Sequence, residues 1–275
     1  MNVAYQSNEI KKLCEYVGEG VYEWQKDSRH LCVPLENNAF LFVFNWCDVV
    51  DMSKKEERVV IFCSEQELLL FSDSLKLPEG DKGGLAPGPF QMLALFLDML
   101  TAGDVDTLDQ LEDALSVLEE DLTTAIKLKK GTGAKIVIFR RSLLKLKRYY
   151  EQLSAVADAL ALNESGAVPK TLTNRFLALS HRIDHLEVAV AHLREYVTQV
   201  REAYQAQIDI EQNQIMKIFT VLTAVFLPLS LIVGWYGMNF HMPEYEWRFG
   251  YLYVIVFSVA VCGLTYWVFK RKKWF

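Results

Sequence analysis

Four uncharged polar side chains, Asn213, Thr220, Thr223 and Ser230, lie in or beside a stretch that is otherwise almost wholly apolar, separated by seven, three and seven positions. That spacing returns all four to one face of an α-helix. An amide and three hydroxyls along one side of an apolar helix can line a file of water. The hydroxyls have a second use, which is to pack against another helix or to bond their own backbone. Pro228, in the same stretch, has no N–H to offer the carbonyl of Ala224, which leaves an acceptor for water or an ion.

A second constellation stands upstream. His181, His185 and His192 differ by four and seven positions, with Asp184 and Glu195 beside them. Two histidines one helical turn apart can chelate zinc, and the competing reading is a solvated helix face. No phosphate-binding loop, nucleophile motif or zinc-hydrolase spacing occurs, so neither an enzyme nor ATP coupling is expected, and no cofactor is implied. Cys14, Cys32, Cys47, Cys63 and Cys262 are far apart, with no Cys-x-x-Cys pair, and read as reduced core thiols.

The elements that must position these residues follow from the apolar pattern. Ile215 to Tyr236 carries one charge, Lys217, and is long enough to cross a hydrocarbon core of roughly 30 Å. Gly250 to Phe269 is a second, uncharged run, closed by Lys270, Arg271, Lys272 and Lys273. The positive-inside rule makes that cluster cytoplasmic. Two spans then put both termini in the cytoplasm and the His241–Phe249 connection outside. Residues 1–30 show no continuous apolar run of the signal-sequence kind. A multi-pass protein of the cell inner or plasma membrane is expected. From residue 215 onward there are six basic against two acidic residues, leaving 23 against 33 before it. Such a soluble part repels nucleic acid and attracts cations.

The first ninety residues read as mixed α/β, with strand-like runs at Phe40–Trp46, Arg58–Cys63 and Leu68–Phe71, the last two forming a hairpin. Lys76 to Pro89, rich in proline and glycine, is a loop. From Phe90, with Gly103 the only interruption, the Leu108, Leu111, Leu115, Leu118 and Leu122 spacing predicts an amphipathic helix. A second, from about Ala134 to Asn163, carries Arg140, Arg141, Lys145, Lys147 and Arg148, expected either to face the acidic run Asp106–Asp121 of its predecessor or to be solvated. Then Leu172, Phe176, Leu179, Ile183, Leu186, Val190, Leu193, Val197, Val200 and Tyr204 alternate four-and-three spacing. This heptad seam is expected to face identical helices of a symmetric oligomer, on a helix running unbroken to Tyr236, roughly 100 Å. The expected division is a cytoplasmic α/β domain (1–89), a helical region with the long stalk (90–214) and a transmembrane domain (215–275).

At the outer end of the first span the sequence reads Tyr236-Gly237-Met238-Asn239-Phe240, followed by Met242-Pro243-Glu244. This resembles the signature and loop of CorA Mg²⁺ transporters, and the similarity extends through Met216-Lys217, Phe226-Leu227-Pro228-Leu229, Gly250-Tyr251 and Lys270 to Phe275. The resemblance implies an α+β cytoplasmic domain feeding a funnel of long helices, two transmembrane helices, and a homopentameric channel for Mg²⁺. It implies that Gly237, Met238 and Asn239 form the outer mouth, where Asn239 sets an oxygen ring. It matches Asn213 to a second polar ring, Phe219 and Leu227 to apolar constrictions and Ser230 to a hydroxyl position; with Thr220 and Thr223 on the same face by their spacing, these residues and Met216 are expected to line the pore. Neutral carbonyls suit Mg²⁺, which gives up its waters reluctantly. Closure by cytosolic Mg²⁺ between subunits is also implied; the expected acidic position is Ala178 here, so Asp184 and Glu187 are the substitutes, and the histidine stripe keeps a Zn²⁺ role open. Transport or efflux of Zn²⁺, Co²⁺ or Ni²⁺ is the rival within transport, and a non-conducting two-span scaffold is the rival outside it.

Overall fold

Runs of aromatic and β-branched residues between polar breaks become a five-stranded sheet in the computed structural model. The structure describes residues 2–14, 16–17, 31–35, 38–78, 87–124, 128–239, 242 and 246–271. The chain divides into two units, Met1–Ala125 with Lys129–Ala203, and Ile126–Leu128 with Tyr204–Phe275.

In the first unit the strands are β1 (Asn2–Tyr5), β2 (Leu31–Leu35), β3 (Ala39–Trp46), β4 (Glu57–Cys63) and β5 (Leu68–Phe71), ordered β1-β5-β4-β3-β2. β1 runs parallel to β5 and the other pairs are antiparallel. The expected hairpin is present, with Val60 opposite Phe71 and Cys63 opposite Leu68. The edge strands β1 and β2 were not read from the sequence: β1 has four residues, and β2 carries Pro34, which an edge strand tolerates because a missing N–H can face outward. Ala39 to Phe44 of β3 are all buried, so both faces of the sheet are covered. Leu41, Val43, Val60, Phe62, Leu69 and Phe71 form a core with Leu13 on one face. On the other, Phe40 meets Phe90 edge-on at 6.3 Å. The Glu57 carboxylate accepts from Ser72 Oγ and from the N–H groups of Asp73 and Ser74. Burial pushes its pKa up, but these bonds more than offset that and hold it below the ordinary value.

Among the described residues the rest of the unit is a 3-10 helix over Ser7–Leu13 and four α-helices, the last of which continues into the second unit. α1 (Pro89–Leu100) starts with proline in its first turn, and the chain then breaks at Gly103, whose φ of +81° suits glycine, before α2 (Asp104–Thr124). The loop expected over Lys76–Pro89 lies outside the described residues from 79 to 86. α3 spans Thr132–Leu162 and ends on Asn163, a left-handed cap at φ 47°. α4 runs from Lys170 to Tyr236 as one helix of 67 residues, as its lack of breakers predicts, and passes through Pro228 without ending.

Two expectations are corrected here. The seam from Phe176 to Val200 is buried inside a single chain, Val190 being 0% exposed, so it does not face neighbouring copies. Polar bonds to α4 from the chain's own helices flank it: Ser154 Oγ donates to Asp184 (3.0 Å), Tyr196 Oη donates to Glu119 (2.7 Å), and Arg175 pairs with Asp98 (2.7 Å). A heptad pattern specifies that a partner helix exists, not which chain supplies it. Secondly, of the two alternatives for the basic stretch, the pairing with the acidic run is not formed and the arginines are solvated. Arg140, Arg141 and Arg148 are exposed, Lys147 pairs with Glu151 on its own helix, and Lys145 bonds the carbonyls of Met52 and Lys54. The buried leucines of α2 (Leu108, Leu115, Leu118, Leu122) and α3 (Leu143, Leu146, Leu153, Leu160) turn inward and carry the charges to the opposite side.

The second unit holds the last part of α4 and α5 (Gly250–Arg271). Both helices are long and apolar enough to cross a membrane, and almost nothing along their apolar stretches is buried. The Leu128 N–H donates to Glu211 of α4 at 2.8 Å, and the Arg271 guanidinium lies 5.3 Å from the Trp267 ring.

Candidate functional site

Because α4 stays helical from Asn213 to Tyr236, positions 213, 216, 220, 223, 227 and 230 recur at three- and four-residue steps on one side, with 219 at its margin. Every one of these residues is exposed in the single chain, Met216 at 62%, Phe219 at 60% and Leu227 at 68%. Along this face apolar and polar groups alternate as bands, and Lys217 is the only ionisable residue between Ile215 and Tyr236 other than the tyrosine itself. Thr220 Oγ1 donates to the Met216 carbonyl at 2.8 Å, so this hydroxyl satisfies its own backbone and keeps its lone pairs to present outward.

At the end of α4 the chain makes a close turn. The Gly237 N–H donates to the Val233 carbonyl at 2.8 Å and the Met238 N–H to that of Trp235 at 3.3 Å. A Cβ at position 237 would stand 2.9 Å from the Val233 carbonyl oxygen, nearer than side chains tolerate. Gly237 is not among the residues of positive φ, so close approach and not left-handed geometry is what requires glycine there. This contact has no sequence signal beyond the glycine itself. Asn239 follows, exposed, and Met238 is 48% exposed. Phe240, His241 and residues 243–245 of the following loop lie outside the described residues.

The upstream cluster is not gathered into a centre. His181, Asp184, His185 and His192 are exposed on α4 and Glu187 is half-buried. Among the described residues no group of three or more His, Cys, Asp or Glu is placed to hold a metal ion within one chain. Asp184 is engaged by Ser154.

An α/β unit followed by two helices long and apolar enough to cross a membrane, the first of them α4 itself, is the architecture of a two-span membrane protein. The sequence model of the CorA-like Mg²⁺ transporter protein family matches residues 22–271, and the chain belongs to that family. It is 27% identical to the cobalt/magnesium transport protein CorA of Thermotoga maritima, over 66% of this chain and 52% of that protein. It is 46% identical over 83 residues to the magnesium transport protein CorA of Salmonella typhimurium, 30% of this chain and 26% of the relative. The chain thus matches about half the length of the first relative and a quarter of the second. The complete structure of the CorA magnesium transporter from Methanocaldococcus jannaschii shares its fold, with a TM-score of 0.79 over 100% of this chain and 91% of that one, at 22% identity.

Proposed function

We propose that the chain is a subunit of a passive divalent-cation channel, conducting Mg²⁺ through a ring of five copies in the cell inner or plasma membrane, with both termini cytoplasmic. The observation that carries this reading is the α4 face from Asn213 to Ser230: uncharged, exposed in one chain, and leading to Gly237-Met238-Asn239. Placed around an axis, five such faces surround a file of water. Asn239 receives the hydrated ion through neutral oxygens, and a ring of carbonyls asks Mg²⁺ for none of the ligand stripping that a carboxylate cage demands. Phe219 and Leu227 form apolar rings that exclude water, so a small inward movement of each helix closes the path. Residues 1–89 and 90–214 form its cytoplasmic part and 215–275 its membrane part. Regulation by Mg²⁺, or by Zn²⁺ at His181, His185 and His192, requires ligands from adjacent copies, with Asp184 and Glu187 the carboxylates on offer.

Uptake into liposomes holding the purified protein, under an imposed membrane potential, tests the reading with Mg²⁺, Co²⁺, Ni²⁺ and Zn²⁺ in parallel. Mg²⁺ flux is expected, and Asn239→Ala is expected to abolish it with assembly intact. Wild-type flux in Asn239→Ala removes that residue from the mechanism; flux of Zn²⁺ alone gives the protein a different cargo.

A further inference from the structure

The charged faces that fail to meet inside one chain are complementary to each other. On α2, Asp106, Asp109, Asp113, Val117 and Glu120 step by three and four along the side opposite the buried leucines, all exposed, with Val117 at 62%. On α3, Val137, Arg141, Leu144 and Arg148 step by four, three and four along the side opposite its own core, Val137 46% and Leu144 39% exposed, and Arg140 and Ile138 flank them. The stripes are of matching length, about 21 Å and about 17 Å at 1.5 Å per residue. Among the described residues no hydrogen bond or ion pair engages the side chains of these four acidic residues or of Arg140, Arg141 and Arg148.

Resting on the ring reading above, we propose that the acidic stripe of α2 in one copy docks on the arginine and aliphatic stripe of α3 in the next. The contact is heterologous, one surface meeting a different one, which is the form that closes into rings. Arginine alternating with aliphatic residues is the composition of an interface, since each guanidinium can take a carboxylate while the aliphatic groups leave water. The opposing charges also answer a need: the region before residue 215 has 33 acidic against 23 basic residues, so identical copies repel unless basic ground is placed where they touch. The seam of α4, covered within its own chain, leaves this role open.

Charge reversal in the full-length protein tests the docking. One variant reverses the acidic stripe (Asp109→Lys with Asp113→Lys), another the basic stripe (Arg141→Glu with Arg148→Glu), and a third carries all four changes. Native mass spectrometry in detergent along a dilution series reads the ring against free subunits. Each single-stripe variant is expected to dissociate at a protein concentration about tenfold or more above the parent, and the four-fold variant to recover. Added salt weakens the parent ring and strengthens the single-stripe variants. Parent-like dissociation in both single-stripe variants overturns the proposal while leaving the ring standing. A parent that forms no ring overturns the ring reading itself. If reversal of α3 weakens the ring and the four-fold variant does not recover, the arginines serve another partner, such as anionic lipid, and the docking is wrong. A last arm is independent of recovery: Asp113→Cys and Arg141→Cys chains, separately tagged and coexpressed, should join through a short bis-maleimide at several times the background of the native cysteines, and a yield at background overturns the docking.

Discussion

Two stretches of one helix, α4, live in different solvents. From Phe176 to Val200 its seam positions are buried by the rest of the same chain; from Tyr204 to Tyr236 not one residue is buried. Val190 is 0% exposed and Leu227 is 68% exposed, though both are aliphatic residues on the same continuous element. Helix propensity cannot tell these stretches apart, and the difference lies in what covers them. The first is finished as a protein core, while the second is left for lipid and, on the ring reading proposed above, for other copies.

The comparison breaks most visibly at Val190. Val190→Asp places a charge where no partner can reach it and should cost roughly 3–5 kcal/mol of the soluble unit's stability. Because the site is within one chain, the lowered melting temperature should not depend on protein concentration. A concentration-dependent loss in thermal melts in detergent would mean that the seam is shared between copies.

Gly237 gives the next largest effect, in the other stretch. Gly237→Val drives a side chain against the Val233 carbonyl, a local strain of about 1–3 kcal/mol. Ion flux through liposomes should fall to background while the melting of the soluble unit stays within about 0.5 kcal/mol of the parent. Full flux in this variant would show that the close turn after α4 is not needed for conduction.

The smallest effect sharpens the contrast by pH. Asp104, 6% exposed, accepts a hydrogen bond from Tyr150 Oη at 2.9 Å, and burial pushes its pKa up from 3.8 to about 6 against the lowering effect of that bond. The folded chain therefore holds this proton more tightly than the unfolded one, so the stability contributed at low pH is lost as pH rises from about 4 to about 6. Asp104→Asn should leave melting unchanged below pH 4 and raise stability by about 1–2 kcal/mol above pH 6. Equal effects at both ends would place the ionisation elsewhere.

Much of this molecule is legible in its residues, for reasons that differ from part to part. The spans and the long helix are written in composition and in the absence of breakers, which act locally, so Lys170–Tyr236 and Gly250–Arg271 emerge where expected. The β4–β5 hairpin is legible because Ser64 to Glu67 separates two apolar runs. β1 is not, since four residues such as Asn2–Tyr5 gain their strand identity from pairing with Leu68–Phe71, a distant segment. The seam's owner and the true neighbours of the basic stretch escape the sequence for the same reason: periodicity records a face and leaves its partner unnamed. Of the site, the polar spacing is legible, whereas the Val233–Gly237 approach is a property of backbone atoms.

The hydroxyls of the membrane helices carry a consequence for how the protein is made. Thr220 bonds the carbonyl of Met216, Ser258 that of Val254 and Thr265 that of Val261, each within its own helix. In α5 the Ser258 and Thr265 donors are thus satisfied within the helix, so these hydroxyls can be handed from the insertion machinery to lipid without waiting for a partner to shelter them. On the ring reading proposed above, insertion of α5 is thereby uncoupled from assembly, and the late step is the search of inserted subunits for one another.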